Sequence, residues 1–157
     1  MNPIFVNAAL RSTYNVLDTM AFIAPRPGTP VLKTTDDVQG VVTGVMDMIS
    51  AETKGALSIS FSEQVIKEIA ERMLGESIEE INDTAKDLTG EIVNMVVGGA
   101  KRILSEQGYD FDMSTPNVFT GTVATVKPSY GGQTVSLPFQ TEVGEFFVEF
   151  TYGEMAA

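Results

Sequence analysis

The sequence predicts an α+β fold in which long helices pack on a largely antiparallel sheet. Helical and strand patterns come in the order helix, three strands, helix, helix, three strands, so strands follow strands instead of alternating with helices. That order favours antiparallel pairing over a doubly wound parallel sheet. A long helix followed by three strands occurs twice, which predicts two pseudo-repeated helix-plus-three-strand units. The length, 157 residues, fits a single domain spanning residues 1–157.

The first predicted unit begins with a helix over residues 3–20, whose apolar side chains recur at helical spacing. Three prolines and a glycine between Pro25 and Pro30 end this helix and predict a rigid connector. Strand-like runs follow at Val31–Thr34, Gly40–Ile49 and Ala56–Phe61.

The second half of the chain starts with two helices. Ser62 is typical of an N-cap for a short helix over residues 63–74, which ends at Gly75. A longer helix runs to about Gln107, with Gly108 just past its end. The remaining strands are predicted at Phe119–Val126, Thr134–Phe139 and Glu145–Tyr152.

The composition excludes several kinds of chemistry. The chain has no histidine and no cysteine. A Ser-His-Asp triad, a cysteine nucleophile and the usual structural zinc site are therefore excluded. An enzyme of this composition must use carboxylates, amides, hydroxyls and basic side chains, or groups that a partner supplies.

The charge argues against two classes of partner. A formal net charge of −11, with no window rich in bases, argues against binding to nucleic acid and to anionic membranes. No apolar run approaches the ~20 residues of a membrane helix. The amino-terminal residues lack a basic segment followed by an apolar one, so we expect no signal peptide and a cytoplasmic protein.

The long helix carries the candidate site. Its apolar residues cover a wide arc, and its polar face is a narrow stripe formed by Asp87, Glu91, Asn94, Gly98 and Lys101 at alternating steps of four and three. Glycine costs about 1 kcal/mol relative to alanine in a helix interior, so Gly98 predicts a close approach to the helix. Spacing alone is also compatible with a solvated polar face, and Gly98-Gly99 with packing of a neighbouring helix.

The same residues carry a family resemblance. The run from Asp87 through Glu91, Asn94 and Gly98 to Ala100 resembles the D-x-x-x-E-x-x-N-x-x-x-G-x-A signature of the CheC/CheX/FliY chemotaxis phosphatases. The resemblance covers nearly the whole chain and is nearest to CheX-type members. It includes the first helix, from Phe5-Val6-Asn7-Ala8 to Asn15-Val16-Leu17-Asp18, the Pro30-Val31-Leu32-Lys33 connector and Phe61-Ser62-Glu63.

The resemblance implies a phosphatase that hydrolyses the phospho-aspartate of a phosphorylated, CheY-like response regulator. It implies that Asn94 orients the attacking water and that Glu91 docks on the regulator's active-site lysine. Asp87, Gly98 and Lys101 are expected to contact the partner. The chain itself is expected to bind no metal or cofactor, since Mg²⁺ belongs to the regulator.

The resemblance also implies a single working site. When Asn15 is aligned with Asn94, Ser12 falls where Glu91 stands, so the first helix lacks the glutamate. CheX-like relatives further imply a homodimer formed through sheet contacts, and strands at Val118–Val126 or Glu145–Tyr152 are candidates for its exposed edge.

Two other functions remain open from the sequence. The first is a non-enzymatic module of the flagellar switch type that binds the phosphorylated regulator without cleaving it. The second is a carboxylate enzyme, either a glycosidase or a Mg²⁺ site built from Asp87 and Glu91 with Asp83 or Glu80.

Overall fold

A computed structural model describes residues 3–33, 40–51, 53–121 and 133–154. The helices are α1 (Pro3–Ala21), α2 (Glu63–Leu74) and α3 (Asp83–Ser105). The strands are β1 (Arg26–Pro27), β2 (Val31–Leu32), β3 (Val42–Ile49), β4 (Thr53–Phe61), β5 (Asp112–Met113), β6 (Asn117–Thr120), β7 (Gln133–Thr141) and β8 (Gly144–Glu154). This α+β architecture confirms the predicted fold class.

All strand pairs in the sheet are antiparallel, and its order is β1-β7-β8-β4-β3-β5, with β2 on β7 and β6 on β3. Each half contains a long helix, two short strands and a hairpin. The short strands of each half pair with the hairpin of the other half, so the two units interlock. The repeat is therefore present, and the described part of the chain has four strands in each unit instead of the three predicted.

The helix ends follow local signals in the sequence. Ser62 caps α2 by accepting a hydrogen bond from the Val65 N–H, and Gly75 closes the helix in the left-handed conformation with φ 68°. Asn82 caps α3 in the same way by accepting from the Ala85 N–H at 3.1 Å. The end of α3 lies at Ser105, two residues before the predicted Gln107, because the chain tightens there into a turn that ends with Gly108 at φ 89°.

The core lies between one face of the sheet and the three helices. Alternate residues of the four longest strands point into it, and the Phe146 ring packs there against the rings of Phe61 and Phe139. On α3 the predicted apolar arc is buried, and Thr89 lies buried within it, where its hydroxyl donates to the Ala85 carbonyl at 2.8 Å. This packing fixes which side of α3 faces outward.

One candidate edge strand is wrong. The predicted strand at Glu145–Tyr152 lies within β8, which pairs with β4 on one side and β7 on the other, so its backbone groups are already bonded. The other candidate, Val118–Val126, begins within β6, which pairs only with β3 in the part of the chain that the structure describes. The rest of that predicted strand, residues 122–126, and Thr34 of the first strand-like run lie outside the described residues.

A buried ion pair links the end of the short strand β2 to β8. The Lys33 Nζ donates to Glu149 Oε1 at 2.7 Å, and the two side chains are only 13% and 10% exposed. The other carboxylate oxygen of Glu149 is buried and has no hydrogen-bond partner among the residues that the structure describes. Lys33 is therefore the principal compensation for a buried negative charge.

Replacing Lys33 with methionine is expected to lower the free energy of unfolding by about 3 kcal/mol, because it leaves the Glu149 carboxylate buried and unpaired. Urea unfolding of the variant measures the loss. The double variant Lys33→Met/Glu149→Leu should recover most of it. A single variant as stable as the wild type would show that Glu149 does not depend on the pair.

Candidate functional site

Helix α3 is seated closely on the sheet, and this position presents its polar stripe to solvent. At Gly44 on β3, an added Cβ would lie 3.0 Å from Val93 Cγ1 and 3.3 Å from the Thr89 carbonyl oxygen. Such contacts are tighter than ordinary packing permits, so the missing side chain lets the helix approach the strand. Because the helix is held along its buried face, the opposite ridge has a fixed orientation.

The exposed ridge brings three of the predicted residues together. Asp87, Glu91 and Asn94 are all exposed and line one groove. Within the described part of the chain, none of the three side chains has a hydrogen-bond or ion-pair partner. A carboxamide with both a donor and an acceptor therefore stands beside two carboxylates, available to a molecule that enters the groove.

The opposite side of this groove was not predicted from the sequence. This side is formed by the segment between β5 and β6 and the start of β6, through Ser114, Thr115, Pro116 and Val118. Lys86 of α3 adds a cation at the margin of the groove. The residues from Ser114 to Val118 lie twenty or more positions from Asn94 in the chain and show no motif. Gly90 was the one available signal, because a glycine inside a helix permits close contact with another segment.

Helical spacing places Gly90 on the same side of α3 as the polar stripe, yet it is buried because Pro116 and Val118 cover it. A Cβ at this position would lie 3.3 Å from Val118 Cγ2 and 3.9 Å from Pro116 Cγ.

The other two predicted contact residues lie outside this groove. Gly98, one turn beyond Asn94, lines a second groove between α3 and α1 together with Asn15, Thr19 and Arg102. Lys101 is half-buried and lines neither of these two grooves.

The first helix differs from α3 at the level of packing. Ser12 is 2% exposed, and its hydroxyl donates to the Val96 carbonyl at 2.6 Å. A Cβ at Gly99 would collide with the Ser12 hydroxyl oxygen, so the two helices meet closely here. A glutamate at position 12 would have no room, whereas Glu91 is exposed.

Two buried threonines offer a second way to align the two helices. Thr13 donates to the Ala9 carbonyl as Thr89 donates to that of Ala85, and both threonines are fully buried. By this correspondence Asn15 lies where Glu91 lies, and the exposed Asp18 lies where Asn94 lies. In this alignment, as in the one that pairs Asn15 with Asn94, α1 lacks the Glu and Asn combination of α3.

Two structural features are absent from the described residues. No helix there is long and apolar enough to cross a membrane. In the same residues, no three acidic side chains come close enough together to hold a metal ion. The carboxylates considered for a Mg²⁺ site thus form no ligand set in this part of the chain.

Comparison with known proteins identifies relatives along the whole chain. A family model described as chemotaxis phosphatase CheX matches residues 42–140. The CheY-P phosphatase CheX of Thermotoga maritima is 27% identical over 132 residues, which cover 83% of this chain and 84% of that protein.

Solved structures agree with this similarity. The chemotaxis protein CheX of Vibrio vulnificus is 42% identical, with a TM-score of 0.88 over 95% of this chain and 99% of that one. The fold also matches the CheX–CheY–BeF₃–Mg²⁺ complex of Borrelia burgdorferi, with 19% identity and a TM-score of 0.75 over 97% and 98% of the two chains. The chain belongs to the chemotaxis phosphatase CheX family.

Proposed function

We propose that this protein hydrolyses the phospho-aspartate of a CheY-like response regulator, and that Asn94 and Glu91 carry the reaction. The observation that supports this most directly is the exposure of both side chains in one groove, without partners among the described residues. The Thermotoga maritima relative bears the name CheY-P phosphatase. The complex from Borrelia burgdorferi pairs a protein of this fold with CheY and BeF₃, an analogue of a phosphoryl group.

Asn94 orients the attacking water in this proposal. Phosphoryl transfer is catalysed mainly by positioning and by charge stabilisation. A carboxamide can accept a hydrogen bond from water and donate one to a phosphoryl oxygen, and it does not change its charge with pH. Asn94 would enter the regulator's phosphorylation site and hold the water in line with the phosphorus.

Glu91 docks on the regulator's active-site lysine. It stands one turn before Asn94 on the same exposed ridge, so a lysine bound there would lie beside the phosphoryl group that Asn94 approaches. Asp87 lies one turn further back in the groove and adds negative charge to the same contact. Mg²⁺ belongs to the regulator, and the catalytic groups of this chain are the amide and the carboxylate.

Gly98 provides clearance for the regulator. A Cβ at this position would lie 4.0 Å from the Met113 side chain, which is ordinary contact, so packing within the described residues does not require a glycine. Gly99 is different, because its Cβ would collide with Ser12. A glycine that the fold does not require, next to the catalytic amide, supports a close approach from outside.

Replacing Gly98 with alanine is expected to raise the free energy of unfolding by about 0.5–1 kcal/mol, through improved helix propensity. The same change should weaken regulator binding by about tenfold, since a methyl group then stands in the interface. Urea unfolding and binding to a BeF₃-activated receiver measure the two effects. Gly99→Ala is the matched control and should be destabilised. A Gly98→Ala variant that binds like the wild type would refute the clearance role.

The remaining assignments belong to the same proposal. Lys101, half-buried two turns beyond Asn94, contacts the periphery of the bound regulator. The protein works as a single domain in the cytoplasm, where its regulator is phosphorylated, and forms a homodimer through an outer strand. Support for an outer strand comes from β2, where Val31 and Leu32 are 55% and 56% exposed.

The test is phosphate release from phosphorylated CheY-like receiver domains, measured with and without this protein. The proposal expects faster release of inorganic phosphate with at least one receiver. Binding to the activated receiver without faster release would instead favour the flagellar-switch alternative. If no CheY-like receiver of the source organism were bound or dephosphorylated, the proposal would be overturned.

A further inference from the structure

We propose that the segment Ser114–Val118, here called the outer wall, is a second contact surface for the receiver domain and sets its orientation over Asn94. This inference rests on the proposed function and adds a positioning element to it. The outer wall faces Asp87, Glu91 and Asn94 across the groove. A receiver that reaches Asn94 must therefore pass beside it.

A single helical ridge does not define a docking orientation. A receiver bound only to Glu91 and Asn94 could still rotate about the axis of α3 and tilt along it. Misplacement of reacting groups by about 1 Å can cost about 100-fold in rate. A second rigid surface beside the ridge removes this freedom, and the outer wall is such a surface.

The outer wall is held firmly by the sheet. The Ser114 N–H donates to the Asp47 carbonyl at 3.1 Å, and the Asp47 N–H donates to the Ser114 hydroxyl oxygen at 2.9 Å. Further along, Asn117 and Val118 pair with β3 at Val45 and Gly44. Pro116 lies between the two anchors, and its ring restricts the backbone.

The distance between the wall and the helix is fixed by Gly90. The Val118 methyl group lies 3.3 Å from the place that a Cβ at position 90 would occupy, so even alanine would press on it. A glycine here costs the helix about 1 kcal/mol relative to alanine. Because Gly90 has no side chain, the outer wall packs directly against α3, and this contact sets the width of the groove.

The outer face of the wall is available to a partner. Thr115 is exposed, and its hydroxyl has no partner within the described residues. The inner residues Pro116 and Val118 are half-buried against the helix. The exposed threonine is therefore the position where bulk would obstruct a receiver without disturbing the packing beneath it.

The first experiment compares Thr115→Trp with Thr120→Trp. Thr120 is also exposed, at the other end of β6 and outside the groove lining, which makes it a matched control. Both variants should unfold at the wild-type urea concentration. Thr115→Trp should raise the KM for the phosphorylated receiver and the Kd for the BeF₃-activated receiver by at least about tenfold, whereas Thr120→Trp should leave both unchanged.

The second experiment displaces the outer wall by adding a methyl group to α3 where the wall packs on it. Gly90→Ala should lower kcat by displacing the docked receiver, and Gly90→Ala/Val118→Ala should restore it, because the smaller residue at 118 makes room for the new methyl group. A kcat that falls and is not rescued would indicate damage to α3 and contradict the proposal.

The outcomes separate this inference from the function on which it rests. If the wild-type protein neither binds nor dephosphorylates any receiver, the proposed function fails and the wall proposal fails with it. If the wild type is active and Thr115→Trp matches Thr120→Trp in KM and Kd, the wall proposal alone is overturned.

Discussion

Replacing Asn94 with alanine is expected to slow phosphate release from the phosphorylated receiver by about 100- to 1,000-fold, or roughly 3–4 kcal/mol in the barrier. The methyl group that remains can neither accept a hydrogen bond from the attacking water nor donate one to the phosphoryl group. Docking depends on other residues, so the Kd for the BeF₃-activated receiver should change by less than about threefold. Single-turnover phosphate release and a binding titration measure the two quantities.

The matched control for this variant is Asn15→Ala. Asn15 is an exposed asparagine on α1, a helix that lacks the Glu and Asn arrangement of α3. Its replacement should leave the catalytic rate unchanged. An Asn94→Ala variant that released phosphate at the wild-type rate would overturn the assignment of Asn94 as the catalytic amide.

Replacing Glu91 with alanine is expected to weaken both docking and rate. The proposed pair with the receiver's lysine becomes desolvated on binding, and truncating one partner of such a pair typically costs about 2–5 kcal/mol. The expected increase in Kd is therefore at least about 30-fold, and kcat should fall as well because the receiver is held less firmly. Glu91→Gln retains the shape of the side chain and removes its charge, so it should lose most of the same affinity.

The control for Glu91 is Glu71→Ala, which removes an exposed glutamate from α2 outside the groove lining. Both proteins carry one negative charge less, so a general effect of net charge would change their affinities equally. Unaltered affinity of Glu91→Ala for the activated receiver would contradict the lysine pair.

The sequence predicted the features that depend on neighbouring residues. The caps at Ser62 and Gly75 were predictable because each satisfies backbone groups of its own helix within a few positions. The ridge formed by Asp87, Glu91 and Asn94 was predictable because helical spacing alone places those residues on one side. The family signature added the chemical roles, which spacing by itself left open.

Features that depend on distant segments were not predictable in this way. The two-residue strands β1 and β5 have no periodicity of their own, and their pairing is decided by the long strands beside them. The position of β8 inside the sheet depends on two different partners, so its pattern could not distinguish an edge from an interior strand. Burial of Gly90 likewise depends on Pro116 and Val118, which lie outside α3 and so cannot be inferred from the spacing of its residues.

Local spacing in the sequence was enough to predict the α+β class, the helix with the candidate site and the ridge of Asn94 and Glu91. The structure was needed to show that a wall faces this ridge, that the two halves exchange their short strands, and that Ser12 is buried between α1 and α3. These features could not be predicted because they arise from close contacts between segments far apart in the chain. Missing side chains at Gly44, Gly90 and Gly99 make those contacts possible.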